Sequence, residues 1–385
     1  MLKKNNFLLE IFENEQGIPQ YFDNITYNKN GEPLFKSDIK DFQYDHRLYH
    51  TSYIPDYLKT KLNNENKLIL KKFGLSKGYC IDLSEFENVE HYLKFQFKKN
   101  AKTIRRYVNR LESCFNIEYK LFYGHISKIE YDNLLMNLRS MIVQRFKQRN
   151  EASKSLKEWN RTVTLTYPLI LEKRASIFVI YNNGIPIEIA INYHYKRILF
   201  SYISSYDIDY AKFGLGHVEI YKQLEWCIAN NFHRFEMGWG DLDYKRRWSN
   251  DIYNFEQHLF TRNKSLVGYS LFKIKEFAIR LKLFLISKNV HVHLRNLKRS
   301  IKNNQRLDGP SQSYEILPIE DLSAEMESKK IDYELENHTF LRKIVNDFLY
   351  RTTEHLSNIE VFEVNKNKVY IIKGSKHAQK VIFTV

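Results

Sequence analysis

Between Ile177 and Met237 the chain spells three strands, a glycine loop, a helix and a returning strand, an order that few arrangements can satisfy. Ile177–Tyr181 is a run of strand formers, and Asn182-Asn183-Gly184 is a hairpin-turn signal. Ile185–Tyr193 and Arg197–Ser204 read as the second and third strands. The loop Ser205–Gly216 closes with Lys212-Phe213-Gly214-Leu215-Gly216. A helix follows from about His217 to Asn230, with Val218, Tyr221, Leu224, Ile228 and Ala229 at helical spacing. His233–Met237 alternates polar and apolar, as a half-buried strand does. Tyr253–Thr261 reads as a fifth strand.

Upstream, residues 1–66 are aromatic-rich and irregular, with short strand-like pieces. Lys67–Phe73 and Tyr79–Leu83 read as strands separated by Gly74 and Gly78. Ser84 caps one long helix over about 87–113, and Ile117–Tyr123 is another strand. Ser127-Lys128-Ile129-Glu130 is a capping box opening a second long helix, 128–149. A polar stretch, 147–160, leads to a short helix through Arg174. Downstream, 270–306 reads as a basic amphipathic helical segment, with Leu271, Ile274, Phe277, Ala278, Leu281, Phe284 and Leu285 on one face. The tail 311–385 reads as a helix near 337–356 and strands near 359–364, 368–373 and 380–385.

Charge is localised. The chain carries a net charge of +15, yet residues 262–306 alone hold twelve Lys/Arg against one acid. Residues 93–111 hold seven cations and no acid, whereas 307–385 hold ten Lys/Arg and thirteen acids. Two basic segments therefore point to phosphate-bearing or anionic partners, or else to solvated helix faces. Cys80, Cys114 and Cys227 are far apart and form no CxxC pair, which fits a reducing cytoplasm and argues against a zinc site. The N-terminal apolar run is short and broken by acids, unlike a signal peptide. No run of about 18 uncharged apolar residues suits a membrane span.

Two stretches suit chemistry. Backbone amides at a helix N-terminus lack intrahelical acceptors, and glycines let a phosphate approach them. That makes Lys212, Phe213, Gly214, Leu215, Gly216 and His217 a candidate phosphate loop. The second stretch is His233–Trp248, HRFEMGWGDLDYKRRW, where Gly238 and Gly240 end a strand and acids, a phenol and cations follow at once. His291 and His293 have no third ligand nearby, so no metal is expected.

The residues Phe235, Gly238, Gly240, Asp241, Tyr244, Lys245 and Trp248 resemble the strand-end signature of the FemAB-like branch of the GNAT acyltransferases. KFGLGHVEIYKQLEW is similar to that branch's loop and helix, with Phe213 where a proline more often precedes the first glycine. KNAKTIRRYVNRLE (99–112) resembles its early basic helix. The resemblance spans roughly 79–262 and implies an α+β fold of tandem GNAT-like domains, each a mixed, mostly antiparallel sheet with flanking helices. It implies a degenerate domain over 1–124 and a catalytic one over 125–262; beyond it, the residues themselves give the basic helical segment 263–307 and a small α/β appendage, 308–385. It also implies that the loop amides hold the pyrophosphate of coenzyme A.

An amine attacking a thioester must lose a proton, its oxyanion needs donors, and the thiolate needs a proton. Asp241 or Asp243 suits the first task, Tyr244 the protonation of the leaving group, and Lys245 the oxyanion or a phosphate. The same residues also suit structural work: Asp241 as a turn cap, Tyr244 in a core, Lys245 paired with Asp243. The leading expectation is a cytoplasmic N-acyltransferase using acyl-CoA (acetyl-CoA) and no metal. Its acceptor is an amine on a sugar nucleotide or envelope precursor, and 270–306 touches the anionic inner face of a membrane. The alternatives are an aminoacyl-tRNA-dependent transferase of the same fold, and a non-catalytic nucleic-acid or membrane-surface binder.

Overall fold

The computed structural model describes residues 2–13, 17–149, 153, 155–288, 313–319 and 328–384. In chain order the first elements are β1 (Leu2–Asn6), α1 (Phe7–Glu13), β2 (Phe22–Tyr27), β3 (Pro33–Lys36), β4 (Leu48–Pro55), β5 (Leu58–Leu62) and β6 (Leu68–Asp82). Next come α2 (Val89–Phe97), α3 (Ala101–Cys114), β7 (Ile117–Phe122), α4 (Lys128–Gln148), α5 (Trp159–Leu171), β8 (Ala175–Asn182), β9 (Ile185–Tyr195), β10 (Ile198–Tyr206) and α6 (Leu215–Ala229). Then follow β11 (Arg234–Trp239), α7 (Asp243–Trp248), β12 (Asp251–Arg262) and α8 (Leu266–Ser287). The tail holds β13 (Ser313–Ile319), β14 (Lys329–Ile331), α9 (Arg342–Thr352), β15 (Glu360–Asn365), β16 (Val369–Lys373) and β17 (Ala378–Thr384). The class is the expected α+β, with mixed, mostly antiparallel sheet flanked by helices. Residues 289–306 of the expected basic helix, His291 and His293 among them, lie outside the described residues.

The chain divides into two compact units that are discontinuous in sequence: residues 1–80 with 237–309, and 81–236 with 310–385. This division cuts across the sequential boundaries at 124/125 and 262/263.

In the first unit β1 pairs parallel with β4, and β12 runs antiparallel to both β4 and β6. Residues 68–82, expected as two strands, form one long strand. Gly74 and Gly78 do not interrupt it: the register shifts once opposite Phe255/Glu256, and the Tyr253 ring fills the space where a Cβ on Gly78 would sit. A separate three-stranded sheet, β3-β2-β5, sits beside the aromatic cluster Tyr21, Tyr44, Tyr49 and Phe260. Helix α8 packs Phe272 and Ile279 onto Leu48, Phe73 and Leu259.

In the second unit the order is β11-β10-β9-β8-β7, with β7 to β10 antiparallel and β10–β11 parallel. Ser127 caps α4 by accepting the Glu130 amide, as the capping box predicts. The helix expected over 87–113 is broken instead. Lys98 takes φ 50°, and the chain turns there between α2 and α3. Asn88, not Ser84, caps α2 by accepting the His91 amide. The tail is a five-stranded sheet, β13-β17-β16-β15-β14, with α9 packed beside it. Glu354 ties that sheet's last hairpin together, accepting the backbone amides of Ser375, Lys376 and His377.

Phe272 is buried whereas Phe277, five residues on in α8, is 68% exposed. Truncating each to alanine separates the two faces of α8. Phe272→Ala should cost about 3 kcal/mol of unfolding free energy by urea titration. Phe277→Ala should stay within about 0.5 kcal/mol of the parent. Equal losses would contradict the packing described.

Candidate functional site

The glycine loop belongs to the second unit. Parallel pairing of β10 with β11 covers Ile198–Phe200 against Arg234–Glu236 and then ends, while β10 runs on to Tyr206. A two-turn 3₁₀ segment, Ile208–Phe213, leads from it into α6. Gly214 takes φ 66°, a left-handed conformation that suits glycine. Its carbonyl accepts the amides of His217 and Val218, at 2.7 and 3.2 Å. The amides of Leu215 and Gly216 have no acceptor among the described residues, and a Cβ on Gly216 would meet only open space. Those two N–H groups are what the loop offers an anion.

The other loop residues have structural work. Phe213 is buried against Phe115, Tyr210 and Tyr350. Leu215 is buried. His217 stacks on Tyr107 at 5.4 Å with the rings nearly parallel, and the same Tyr107 ring lies 2.8 Å from where a Cβ on Gly214 would sit. Lys212 pairs with Asp347 of α9 at 3.2 Å. Arg342, also on α9, bonds Asp207 at 2.9 Å.

The stretch after Met237 belongs to the first unit. Gly240, at φ 98°, turns the chain out of β11, and α7 follows where a loop was expected. Asp241 accepts hydrogen bonds from the Tyr79 hydroxyl and from Arg246, the latter at 2.6 Å. The Tyr79 hydroxyl, followed by the Arg246 charge, holds the Asp241 carboxyl below the usual range. Burial and Asp241 push Tyr79 up to about 12, so the proton stays on the phenol. A general base works best with a pKa near the operating pH, and Asp241 is set well away from it.

Lys245 is buried, and its Nζ donates to the Met237 and Trp239 carbonyls, both at 2.6 Å. It closes the end of β11 and does not pair with Asp243, which binds Arg247 at 2.7 Å. Tyr244 is 40% exposed, so it is not a core residue.

The structure also places together residues the sequence reading passed over. Glu188 on β9 and Glu219 on α6 are both buried in the second unit, with Arg145 of α4 close enough to act on both. Burial, then the charge of Glu219, pushes Glu188 well above its ordinary value. Burial pushes Glu219 up to about 7, against hydrogen bonds from the Ser204 hydroxyl and Glu188 that pull it down. Such a pair titrates as a unit and keeps a proton near neutrality. The signal was in the sequence: an acid inside the apolar strand IPIEIAINY, and another on the inner side of an apolar helix. Among the described residues no group of three or more His, Cys, Asp or Glu is placed to hold a metal ion.

The second unit thus presents a parallel pair that ends after three residues, a left-handed glycine and two open amides at a helix start. Residues 98–246 match the acetyltransferase (GNAT) domain family. The match supports an acyltransferase. No curated protein matches the sequence. Similar solved structures include FemX, at 7% identity over 55% of this chain and 71% of that one, with a TM-score of 0.41. A conserved protein of unknown function from Bacteroides thetaiotaomicron VPI-5482 shows 10% identity over 56% and 70%, TM-score 0.40. The DUF2156 C-terminal domain from Agrobacterium fabrum shows 11% over 58% and 70%, TM-score 0.36.

The carboxylate pair makes a signed prediction. A folded-state pKa above the ordinary 4.5 means that the folded chain holds a proton the unfolded chain releases. That stability is fully present below about pH 4.5 and is lost as pH rises through about 7. Glu219→Gln should therefore gain on the parent in melting temperature at pH 8 relative to pH 5. An equal difference at both pH values would contradict the assignment.

Proposed function

We propose that this chain is an N-acyltransferase that takes its acyl group from acyl-CoA, with acetyl-CoA the first donor to try. The observation that carries this reading is the end of β10–β11 pairing at Phe200/Glu236, directly before a loop that presents the Leu215 and Gly216 amides. In this reading the two amides hold the pyrophosphate against the positive end of the α6 dipole. Tyr107, seated on Gly214 and His217, fixes the loop's shape. Asp241, occupied by Tyr79 and Arg246, and Lys245, occupied by two carbonyls, keep the strand end in place, and the ammonium of the acceptor loses its proton to water. The acceptor is an amine on a sugar nucleotide or envelope precursor.

Gly216 gives a clean test, because a side chain there meets no protein atom. Gly216→Val should leave the melting temperature near the parent's and weaken acetyl-CoA binding by at least about tenfold in calorimetry. No acyl-CoA binding by the parent, or equal binding by the variant, would overturn this reading.

One observation favours a second reading, an aminoacyl-tRNA donor. Lys102, Arg105, Arg106 and Arg110 of α3 line an open cleft of about 330 Å³ with Asn109, Ser113 and Thr353. Of these cations Arg105 is bound to Glu90, and Lys102 and Arg106 are exposed to solvent. If the cleft holds RNA phosphates, binding of aminoacylated tRNA should fall steeply with salt, and Lys102→Glu with Arg106→Glu should shallow that slope by about two in log–log terms. A slope unchanged by the pair of substitutions would leave acyl-CoA as the donor.

A further inference from the structure

Helix α8 carries two apolar faces, and only one is used by the fold. The inner face holds Phe272 and Ile279, with Leu283 partly buried against the same cluster. Glu276 lies on that side too, nearly covered, and is engaged by Lys71 at 2.5 Å, Arg280 at 3.0 Å and Lys273 at 3.4 Å. The outer face carries Ile274, Phe277, Leu281 and Phe284, exposed by 68%, 68%, 46% and 56%. These four are spaced three or four residues apart and form one stripe. Leu266, Val267, Leu271 and Leu285 widen it, and all are exposed. Over 22 residues such a helix is about 33 Å long. Soluble surfaces carry large apolar residues singly, and a continuous stripe of this length marks an interaction surface.

Charge on the borders of the stripe identifies what covers it. Lys273 and Arg280, seven residues apart, follow one border, and Lys275 and Lys282, also seven apart, follow the other. Lys4 of β1 is close enough to Lys275 to act on its charge, together with Lys282. Lys4, Lys275 and Lys282 have no acidic partner among the described residues. Glu276 is the one acid in residues 262–306, and it is turned inward to Lys71. The exposed side of α8 is thus apolar along its crest and cationic along both edges. Lysines on both flanks reach outward past an apolar stripe when the medium changes from hydrocarbon to anionic headgroup on both sides of the helix. No described helix is long and apolar enough to cross a membrane, so the helix lies along the surface.

We propose that the outer face of α8 seats in the headgroup–acyl boundary of a bilayer rich in anionic lipid, with Ile274, Phe277, Leu281 and Phe284 inserted and Lys275 and Lys282 on headgroup phosphates. The inserted side chains enter the boundary by about 5–10 Å. The proposal is independent of acyl transfer, since it is read without any donor or acceptor present.

The test uses the full chain and flotation with vesicles of phosphatidylcholine alone or mixed in equal parts with phosphatidylglycerol. The parent should float with the mixed vesicles, much less with phosphatidylcholine, and progressively less as salt is raised. Ile274→Gln, Phe277→Gln and Leu281→Gln combined should reduce binding by at least about tenfold, with unchanged circular dichroism, because those side chains leave the core untouched. Lys275→Glu with Lys282→Glu should abolish the preference for the anionic vesicles. Three outcomes would overturn the proposal. The parent floats with neither vesicle; or the triple variant floats as well as the parent; or the parent floats with neither and forms a dimer in solution that the triple variant loses, in which case the face is built for a second copy.

Discussion

The parallel β10–β11 ladder stops after three pairs while β10 runs on to Tyr206, and much of the second unit follows from that gap in its pairing with β11. The chain beyond the gap is correspondingly braced. Gly214 makes the left-handed turn, and its carbonyl closes the first turn of α6. Tyr107 covers one side of the glycine, and Phe213 is wedged among Phe115, Tyr210 and Tyr350. Where a proline would stiffen the approach to the loop through its ring, Phe213 stiffens it through packing. Part of that packing comes from the tail: α9 supplies Tyr350, and its Asn346 side chain donates to the Asp209 carbonyl at 3.2 Å. The appendage is therefore a wall of the loop.

Electrostatics separates the acids that the sequence presents as equals. Asp241 sits in an exposed turn where Tyr79 and Arg246 donate to it, so its charge is stabilised and its proton affinity falls. Glu188 and Glu219 are buried, so the charged form is disfavoured and a proton is retained. By composition the first looked like the base and the other two like nothing. Burial reverses that ranking, because a group titrating near neutrality is made by desolvation and not by a neighbouring cation.

Elements with an internal signal were legible. Asn182-Asn183-Gly184 marked its hairpin, the capping box marked the start of α4, and the helical spacing after Gly216 marked α6. The tail's helix and three of its strands were placed to within a few residues. The failures have local causes. Nothing in VEHYLKFQFKKNAKTIRRY announces that Lys98 adopts a positive φ, since the break is enforced by packing α2 and α3 separately. β13 has its side chains mostly exposed, and β14 spans three residues, so neither offers a buried period to detect. At the candidate site, the loop and the strand end were legible as stretches. The working contacts were not: Tyr107, Tyr79 and Asp347 lie far from those stretches in sequence and reach them only through the fold.

Helix α8 shows what decides which of two apolar stripes faces the core. Leu271, Ile274, Phe277, Ala278, Leu281, Phe284 and Leu285 form the stronger periodic stripe. The structure buries the weaker one, Phe272 and Ile279, and turns the stronger outward. Glu276 explains the choice. An acid on the inner face finds Lys71 of β6 waiting, with Lys273 and Arg280 beside it, and Glu276 is held at about 2 by Lys71 first and then by Arg280 and Lys273. Rotating the helix to bury the stronger stripe would strand Lys71 and turn Glu276 out to solvent, breaking a satisfied ion cluster. The ion cluster thus fixes the rotation of α8, and the apolar stripe is left for a surface outside the chain.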